Sequence, residues 1–516
     1  MPSYQSPGVY VEEVASGAAP LEGAGTAIAA FIGLAEEGPF NTPTLVSNWT
    51  QFTTTFGGIV AGSYLGQSVY SYFQNGGGNC YVVRIGQSDA SAGSSRGGQR
   101  KELTAGPQAQ IGRLKVTAID AAASSGDITV EVTDAGGENP TEDMFKLVIK
   151  VKGEQVEEFD RANFSRGKQN VVTMVNAASK VIKVEDTGSG AVARLESGST
   201  ALVVPPPPEA EPARLSADDY VGDVADRTGF GGLEAIEDIT MLCVPDLMSA
   251  YQQGAIDLDQ VQAVQTAMIA HCELMGDRVA ILDPPPGMNA QQIKEWRVDK
   301  ARYDSMYATL YWPWVKTMNP ATGQLGFMPP SGHIAGIWGR NDATRGVHKA
   351  PANEVVRGAI DLEINITRNE HDLLNPQGIN VIRAFPGRGI RVWGARTLSS
   401  DPAWRYLNVR RLFNYLEKTI LNGTNWVVFE PNDQALWARI RRTIAAFLVM
   451  EWRAGALFGA TPNEAFYVKC DSETNPAEGI DAGQVVCEIG VAPVKPAEFV
   501  IFRLAQFSGG TSLVAE

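Results

Sequence analysis

A chain of 516 residues is several times a typical domain, so a single small module is excluded. With 44% hydrophobic and 20% charged residues, it can bury several cores and is not a disordered chain. The 43 Lys and Arg against 58 Asp and Glu give a net charge of -15, which repels phosphate backbones and anionic lipid and excludes sequence-independent nucleic-acid binding.

The first residues hold no basic segment followed by an apolar stretch, and the apolar runs at 26–34 and 444–450 are too short to span a bilayer. Neither export nor membrane insertion is expected. The opening Ser6-Pro7-Gly8-Val9-Tyr10-Val11-Glu12-Glu13 joins a Pro-Gly turn signal to the alternation of a strand, and a strand at a chain end needs a partner. Small residues at 17–25 predict a flexible tether before the buried strand at 27–34.

Helices at 49–56 and 66–74, a Gly76-Gly77-Gly78-Asn79 turn and a strand at 80–85 make an α/β opening. Between 87 and 215 the chain changes to short alternating segments such as 114–119, 128–133 and 145–151, entered through Gly and Ser and left through Pro205-Pro206-Pro207-Pro208. This predicts an inserted β-rich domain. The α/β pattern then resumes with strands at 239–244, 279–282 and 307–311 and helices at 258–275 and 290–300, the alternation of a largely parallel sheet covered by helices. A last region from 378 holds strands at 381–384 and 390–393, helices at 406–421 and 433–453, and strands at 465–470, 484–491 and 497–504; 475–483 reads as a second flexible segment.

Signals for chemistry are weak. Cys80, Cys243, Cys272, Cys470 and Cys487 include no C-x-x-C pair, so neither a disulfide framework nor a zinc site is expected, and a reducing cytoplasm is the simplest setting. Gly167-Lys168 is followed by Gln169, which removes the phosphate-cradle motif. His271 reads as an interior helix residue, His348 and His371 as solvated loop residues, and Asp283 as part of a rigid turn after a strand. Gly332-His333-Ile334-Ala335-Gly336 and Gly510-Thr511-Ser512 echo a subtilisin-like peptidase. The position that would hold the catalytic histidine is Pro330, and Ser512 stands four residues from the end of the sequence, so neither a general base nor an oxyanion hole is supported.

A more specific pattern lies in Pro329-Pro330-Ser331-Gly332-His333, Asn341-Asp342-Ala343-Thr344-Arg345-Gly346, Leu374-Asn375-Pro376-Gln377-Gly378-Ile379, Gly387-Arg388-Gly389-Ile390-Arg391-Val392-Trp393-Gly394 and Tyr406-Leu407-Asn408-Val409-Arg410-Arg411-Leu412, together with the opening segment. In this order they resemble the contractile tail sheath family of phages and phage-tail-like injection systems. The resemblance implies a non-enzymatic α/β (α+β multidomain) protein: a subtilisin-like α/β domain without catalytic triad at 26–86 and 216–377, an α+β C-terminal inner domain at 378–496, an inserted β-rich outer domain at 87–215, and extended terminal strand arms at 1–25 and 497–516. It implies stacked hexameric rings around an inner tube, with baseplate and cap proteins as further partners, assembly in the bacterial cytoplasm, no cofactor, no metal, no nucleic acid and no membrane insertion. A serine peptidase and a static tube or capsid protein are the alternatives of other kinds.

Residues 3–14 would span about 40 Å when extended, enough to reach a neighbour. The arm residues singled out are Pro7, Gly8, Val9, Tyr10 and Val11 at one end and Phe499, Val500, Ile501 and Phe502 at the other, each able to add a strand to another subunit's sheet. Sheaths of this family hold an acidic tube through a basic inner surface. The resemblance therefore makes Arg410, Arg411 and Lys418 on one helix, and Arg439, Arg441 and Arg442 on the next, the candidate tube contacts.

Overall fold

The computed structural model describes residues 21–86, 107–119, 127–136, 141, 143–165, 167, 169–187, 194–202 and 215–503. The arm residues Pro7, Gly8, Val9, Tyr10 and Val11, and Ser512, lie outside them. The chain divides into two compact units, Met1–Ser88 with Arg214–Glu516, and Asp89–Ala213.

The larger unit is built on one eight-stranded sheet. Its strands are β1 (Ala29–Gly33), β2 (Thr44–Val46), β3 (Cys80–Arg84), β4 (Met241–Cys243), β5 (Val279–Leu282), β6 (Ala308–Trp312), β7 (Ile379–Phe385) and β8 (Gly389–Val392), in the order β8-β7-β6-β5-β4-β1-β3-β2. The six central strands are parallel, while β2 and β8 close the edges antiparallel. Every residue of β1 is buried because alternate side chains enter two cores: Ala30 and Ile32 face one, Ala29 and Phe31 the other. A sheet covered on both faces needs such continuous apolar strands. Ile379–Phe385 and Gly389–Val392 belong to this sheet, so they do not open a separate C-terminal region as the expected boundary at 378 implied.

Helices α1 (Leu65–Gln74), α2 (Leu258–Met275) and α3 (Ser331–Arg345) flank the strands. Asp257 and Gln260 form a reciprocal capping box at the start of α2 and Gly276, at φ +69, ends it. Gly332 and Gly336 explain the peptidase echo in other terms. A Cβ at Gly332 would stand 2.5 Å from the Ser68 carbonyl oxygen, and one at Gly336 would stand 2.3 Å from that of Tyr72. The glycines are the contact by which α3 lies against α1.

The C-terminal part gathers around α4 (Leu407–Gly423) and α5 (Gln434–Arg453), with a two-stranded antiparallel sheet of β9 (Phe466–Lys469) and β10 (Glu488–Val491). Leu412, Leu416, Ile440, Ile444, Phe447 and Leu448 form its core, which Leu21 joins from the other end of the chain.

The smaller unit has its own core. A four-stranded sheet runs in the order Gly198–Ala201, Ile128–Asp134, Phe145–Val151, Glu154–Ala162, and a three-stranded one in the order Gln108–Ile111, Leu114–Ala118, Ile182–Asp186. All these pairings are antiparallel. Ile128, Val130 and Val132 alternate inward as their spacing predicts.

Candidate functional site

The β9–β10 sheet has the features of an assembly site. Among the described residues the two strands pair only with each other, so each leaves one edge of backbone donors and acceptors open. Their inner faces pack on the α5 core through Phe466, Val468, Ile489 and Val491. On the outer face Tyr467, an exposed aromatic, lies across Gly490, where a Cβ would stand 2.1 Å from the ring. A groove lined by Arg441, Ala445, Asn463, Phe466, Tyr467 and Val468 runs between α5 and β9. A groove of mixed polar and apolar lining beside an open strand edge suits a peptide that adds as a strand.

The C-terminal arm leaves the body at a clamp. The Glu498 carboxylate accepts from Arg396 Nε at 2.8 Å and from Asn375 Nδ2 at 3.1 Å. Burial works to raise the Glu498 pKa, and the bonds from Arg396 and Asn375 outweigh it, holding the group below the usual carboxylate range. Beyond the clamp Phe499, Val500, Ile501 and Phe502 are 72%, 67%, 78% and 84% exposed. Expected as part of a strand at 497–504, they form none within this subunit. Four successive large apolar side chains exposed to water make an apolar patch of the kind that marks interaction sites.

The N-terminal tether is fastened where flexibility was expected. Leu21 is buried against Gly423, the Gly23 backbone presses on the Tyr415 hydroxyl, and Ala24 N–H donates to Thr419 Oγ1 at 3.0 Å. Residues 21–25 are thus a strap on α4, and residues 17–20 of the expected tether lie outside the described residues. The second expected hinge, 475–483, is also ordered. Asn475 is buried, its side chain bonds both the N–H and the C=O of Val486, and Ala477–Asp481 is helical.

The basic residues separate sharply by environment. Arg410 is 2% exposed, with its guanidinium 4.4 Å from the Trp404 ring and 4.8 Å from that of Tyr307, and it pairs with Glu417. Arg411 is 4% exposed; it takes both oxygens of Asp342 at 2.9 and 2.6 Å, lies over Trp338, and donates to Thr26 O at 2.9 Å. Lys418 pairs with Asp277 at 2.8 Å and also donates to Glu237 O. Arg441 donates to Cys470 O. Arg439 covers the Trp426 ring and pairs with Glu430 at 2.6 Å, partly exposed. Arg442 is exposed, and its side chain has no hydrogen bond or ion pair among the described residues. Arg410, Arg411, Lys418 and Arg441 are engaged inside the subunit, and Arg439 and Arg442 face outward.

The groups that suggested catalysis are structural. Asp283 is buried and accepts from Ser331 N–H at 2.9 Å and Ser331 Oγ at 2.6 Å, capping the first turn of α3 rather than merely ending a turn. Burial pushes its pKa up to about 7 against those bonds. His333 is fully buried with neither ring nitrogen bonded, and burial pushes it down to about 4. It stands as a neutral core residue. His371, expected in a loop, lies on the helix Arg368–Leu374 and is partly buried, as is His348. His271 is buried 3.3 Å from Arg278 Nη1, an interior residue as read from its helix. The crevice at the strand-order reversal beside β1 and β4, where open α/β sheets hold ligands, is occupied by the protein itself: buried Asp246 accepts from the N–H groups of Leu34, Tyr64 and Leu65 and from the Ser63 hydroxyl.

One juxtaposition escaped sequence reasoning, that of Cys470 with Cys487, whose only signal was their place on two expected strands, 465–470 and 484–491, not yet known to pair.

Known proteins resemble this chain in sequence and in structure. Residues 217–398 match the phage tail sheath protein central domain and residues 399–507 the phage tail sheath C-terminal domain. The tail sheath protein of Vibrio phage KVP40 is 26% identical over 301 residues, covering 54% of this chain and 44% of that protein. The tail sheath protein of Burkholderia phage BcepMu is 23% identical over 520 residues, covering 96% and 95%. The chain thus spans under half of the first relative's length and nearly all of the second's. In structure, the contracted helical sheath of the anti-feeding prophage superposes with a TM-score of 0.59 at 24% identity, covering 98% of this chain and 100% of that one. The contracted sheath of an extracellular contractile injection system, PVC, gives 0.56 at 22% identity, covering 98% and 99%. These likenesses support the mixed α/β multidomain fold.

Proposed function

The chain belongs to the phage tail sheath family, and on that premise we propose that it is the structural subunit of a contractile sheath. Copies polymerise as stacked hexameric rings around an inner tube, between baseplate and cap proteins, after synthesis in a bacterial cytoplasm. The α/β body keeps a subtilisin-like architecture without a catalytic triad.

The observation that carries this reading is an open-edged sheet in the same subunit as an exposed C-terminal arm. β9 and β10 offer open edges, while Phe499–Phe502 leave the body exposed and unpaired just past the Glu498 clamp. Arms from neighbouring subunits fill these edges, and backbone hydrogen bonds then hold the lattice together as the bodies turn. Because donor and acceptor sites differ, the contact is head-to-tail and generates an open helical polymer. Contraction needs new surface between bodies, and about 200 Å2 of apolar area per subunit is worth about 5 kcal/mol before costs. With Arg410, Arg411, Lys418 and Arg441 engaged internally, the tube contact is assigned to Arg442 with Arg439.

Electron microscopy of the protein co-expressed with its tube tests the proposal. Cylinders of two lengths are expected, and removal of residues 499–516 should leave a folded monomer that forms none. Cylinders of one rigid length would favour a static tube, and polymers from the truncated chain would remove the arm from the mechanism.

A further inference from the structure

The β9–β10 ladder pairs Phe466 with Val491, Tyr467 with Gly490, Val468 with Ile489 and Lys469 with Glu488. One step further, the same register sets Cys470 opposite Cys487. At the other end Ala492 N–H donates to Ala465 O, which phases the ladder: residues 465, 467 and 469 take hydrogen-bonded positions, and 466, 468 and 470 take the others. The Cys470 carbonyl accordingly turns away from the ladder and accepts from Arg441. Facing Cα atoms at a non-hydrogen-bonded position stand about 4.5 Å apart, within the range of about 4.4–6.8 Å that a disulfide spans. Both side chains point to the inner face and interact with each other, Cys470 buried and Cys487 half-buried, both as free thiols.

We propose that Cys470 and Cys487 are a modification site, closing to a reversible cross-strand disulfide that staples the end of the β9–β10 sheet. The oxidant is a low-molecular-weight disulfide. The more exposed Cys487, as thiolate, attacks one sulfur of the oxidant and releases one small thiol; Cys470 then displaces the second from the mixed disulfide. One S–S bond breaks in the oxidant and one forms in the protein, two electrons pass to the oxidant, and the two thiol protons end on the released small thiols. Burial pushes the Cys487 pKa up to about 12 and raises that of Cys470. Thiolate is therefore scarce at neutral pH and closure is slow, quickening as the pH rises. The pair is a lock set once, not a fast sensor. The bond closes residues 471–486 into a loop and fixes the register of the strands where arms are proposed to add; that consequence rests on the proposed function, while the bond itself does not.

The test uses the full-length protein held with glutathione disulfide at pH 8 for a day, then alkylated, digested and weighed. The expected result is one linked peptide joining Cys470 to Cys487, with two of five thiols lost and Cys80, Cys243 and Cys272 still reduced. The unfolding midpoint should rise by about 4 °C, as a loop of this length predicts, and dithiothreitol should reverse it. Cys487→Ser abolishes the rise; should it fail to fold, Cys470→Ala and the reversal on the unaltered protein give the same reading. Five intact thiols, separate mixed disulfides on the two cysteines, links between subunits, or a linked protein with no gain in midpoint would each overturn the proposal. Because the linked peptide is read without assembly, its absence is distinct from a failure to polymerise.

Discussion

Replacing Arg411 by Met separates a structural role from a partner contact. The guanidinium and the Asp342 carboxylate are both almost wholly buried, at 3% and 4% side-chain exposure. Their bonds at 2.9 and 2.6 Å tie α4 to the end of α3, and the further bond to Thr26 O ties both to the N-terminal strap. Met preserves the stem over Trp338 but leaves Asp342 buried without its cation, and breaking such a pair costs about 3–5 kcal/mol. In a unit of this size, with unfolding entropy near 2.1 cal/mol/K per residue, that lowers the midpoint by about 5 °C. Thermal and urea unfolding of the soluble protein measure it. The double variant Arg411→Met with Asp342→Leu should recover most of the loss, because both charges are then gone. A single variant that melts within about 1 °C of the parent yet no longer assembles would refute the reasoning and restore Arg411 as a contact residue.

Arg442→Glu, on an exposed site, should change stability by no more than about 0.5 kcal/mol while preventing assembly around the tube; unchanged particles in the microscope would reject the contact. Asp283 is pushed up to about 7 from an ordinary 3.8, so the folded protein keeps a proton that the unfolded chain releases. The stabilisation is full below about pH 4 and is lost as the pH rises through 7, amounting to about 4 kcal/mol as an upper bound. Asp283→Asn, which mimics the protonated carboxyl toward Ser331, should therefore gain about 2 kcal/mol at pH 8 and nothing at pH 4, and a gain at pH 4 in urea titrations would contradict it. Gly336→Ala places a methyl 2.3 Å from a backbone oxygen and should cost about 2–3 kcal/mol by forcing α1 and α3 apart, whereas a neutral result in the same melts would show that the glycine is not a packing contact.

The helices and strands were largely legible because local rules and burial agree in them. Apolar alternation in Ile128–Asp134, the Asp257 cap and Gly276 stop of Leu258–Met275, and the continuous apolar run of Ala29–Gly33 each state their environment in a few residues. The β7–β8 hairpin was placed correctly as strands but in the wrong neighbourhood. Its alternation is the same whether it closes the large sheet or starts another, and only the parallel pairing of Leu310 with Ile379 decides. The small-residue stretches at 17–25 and 475–483 read as flexible because composition reports what a segment can do, whereas Leu21 against Gly423 and Asn475 across Val486 report what packing made of it.

The sequence by itself determined the α/β class, the inserted β-rich segment and the order of motifs that the sheath family shares, since periodicity and turn chemistry act over a few residues and leave their mark in order along the chain. The tertiary structure alone decided which charges are caged inside the subunit and which stay exposed. An arginine on an amphipathic helix has a planar cation and an apolar stem, compatible with solvent or with a cage of Trp404 and Tyr307, and its choice depends on both rings, one of which, Tyr307, lies about a hundred positions away. The same holds for Cys470 and Cys487: their meeting follows from strand register, a property of two segments together that neither carries alone.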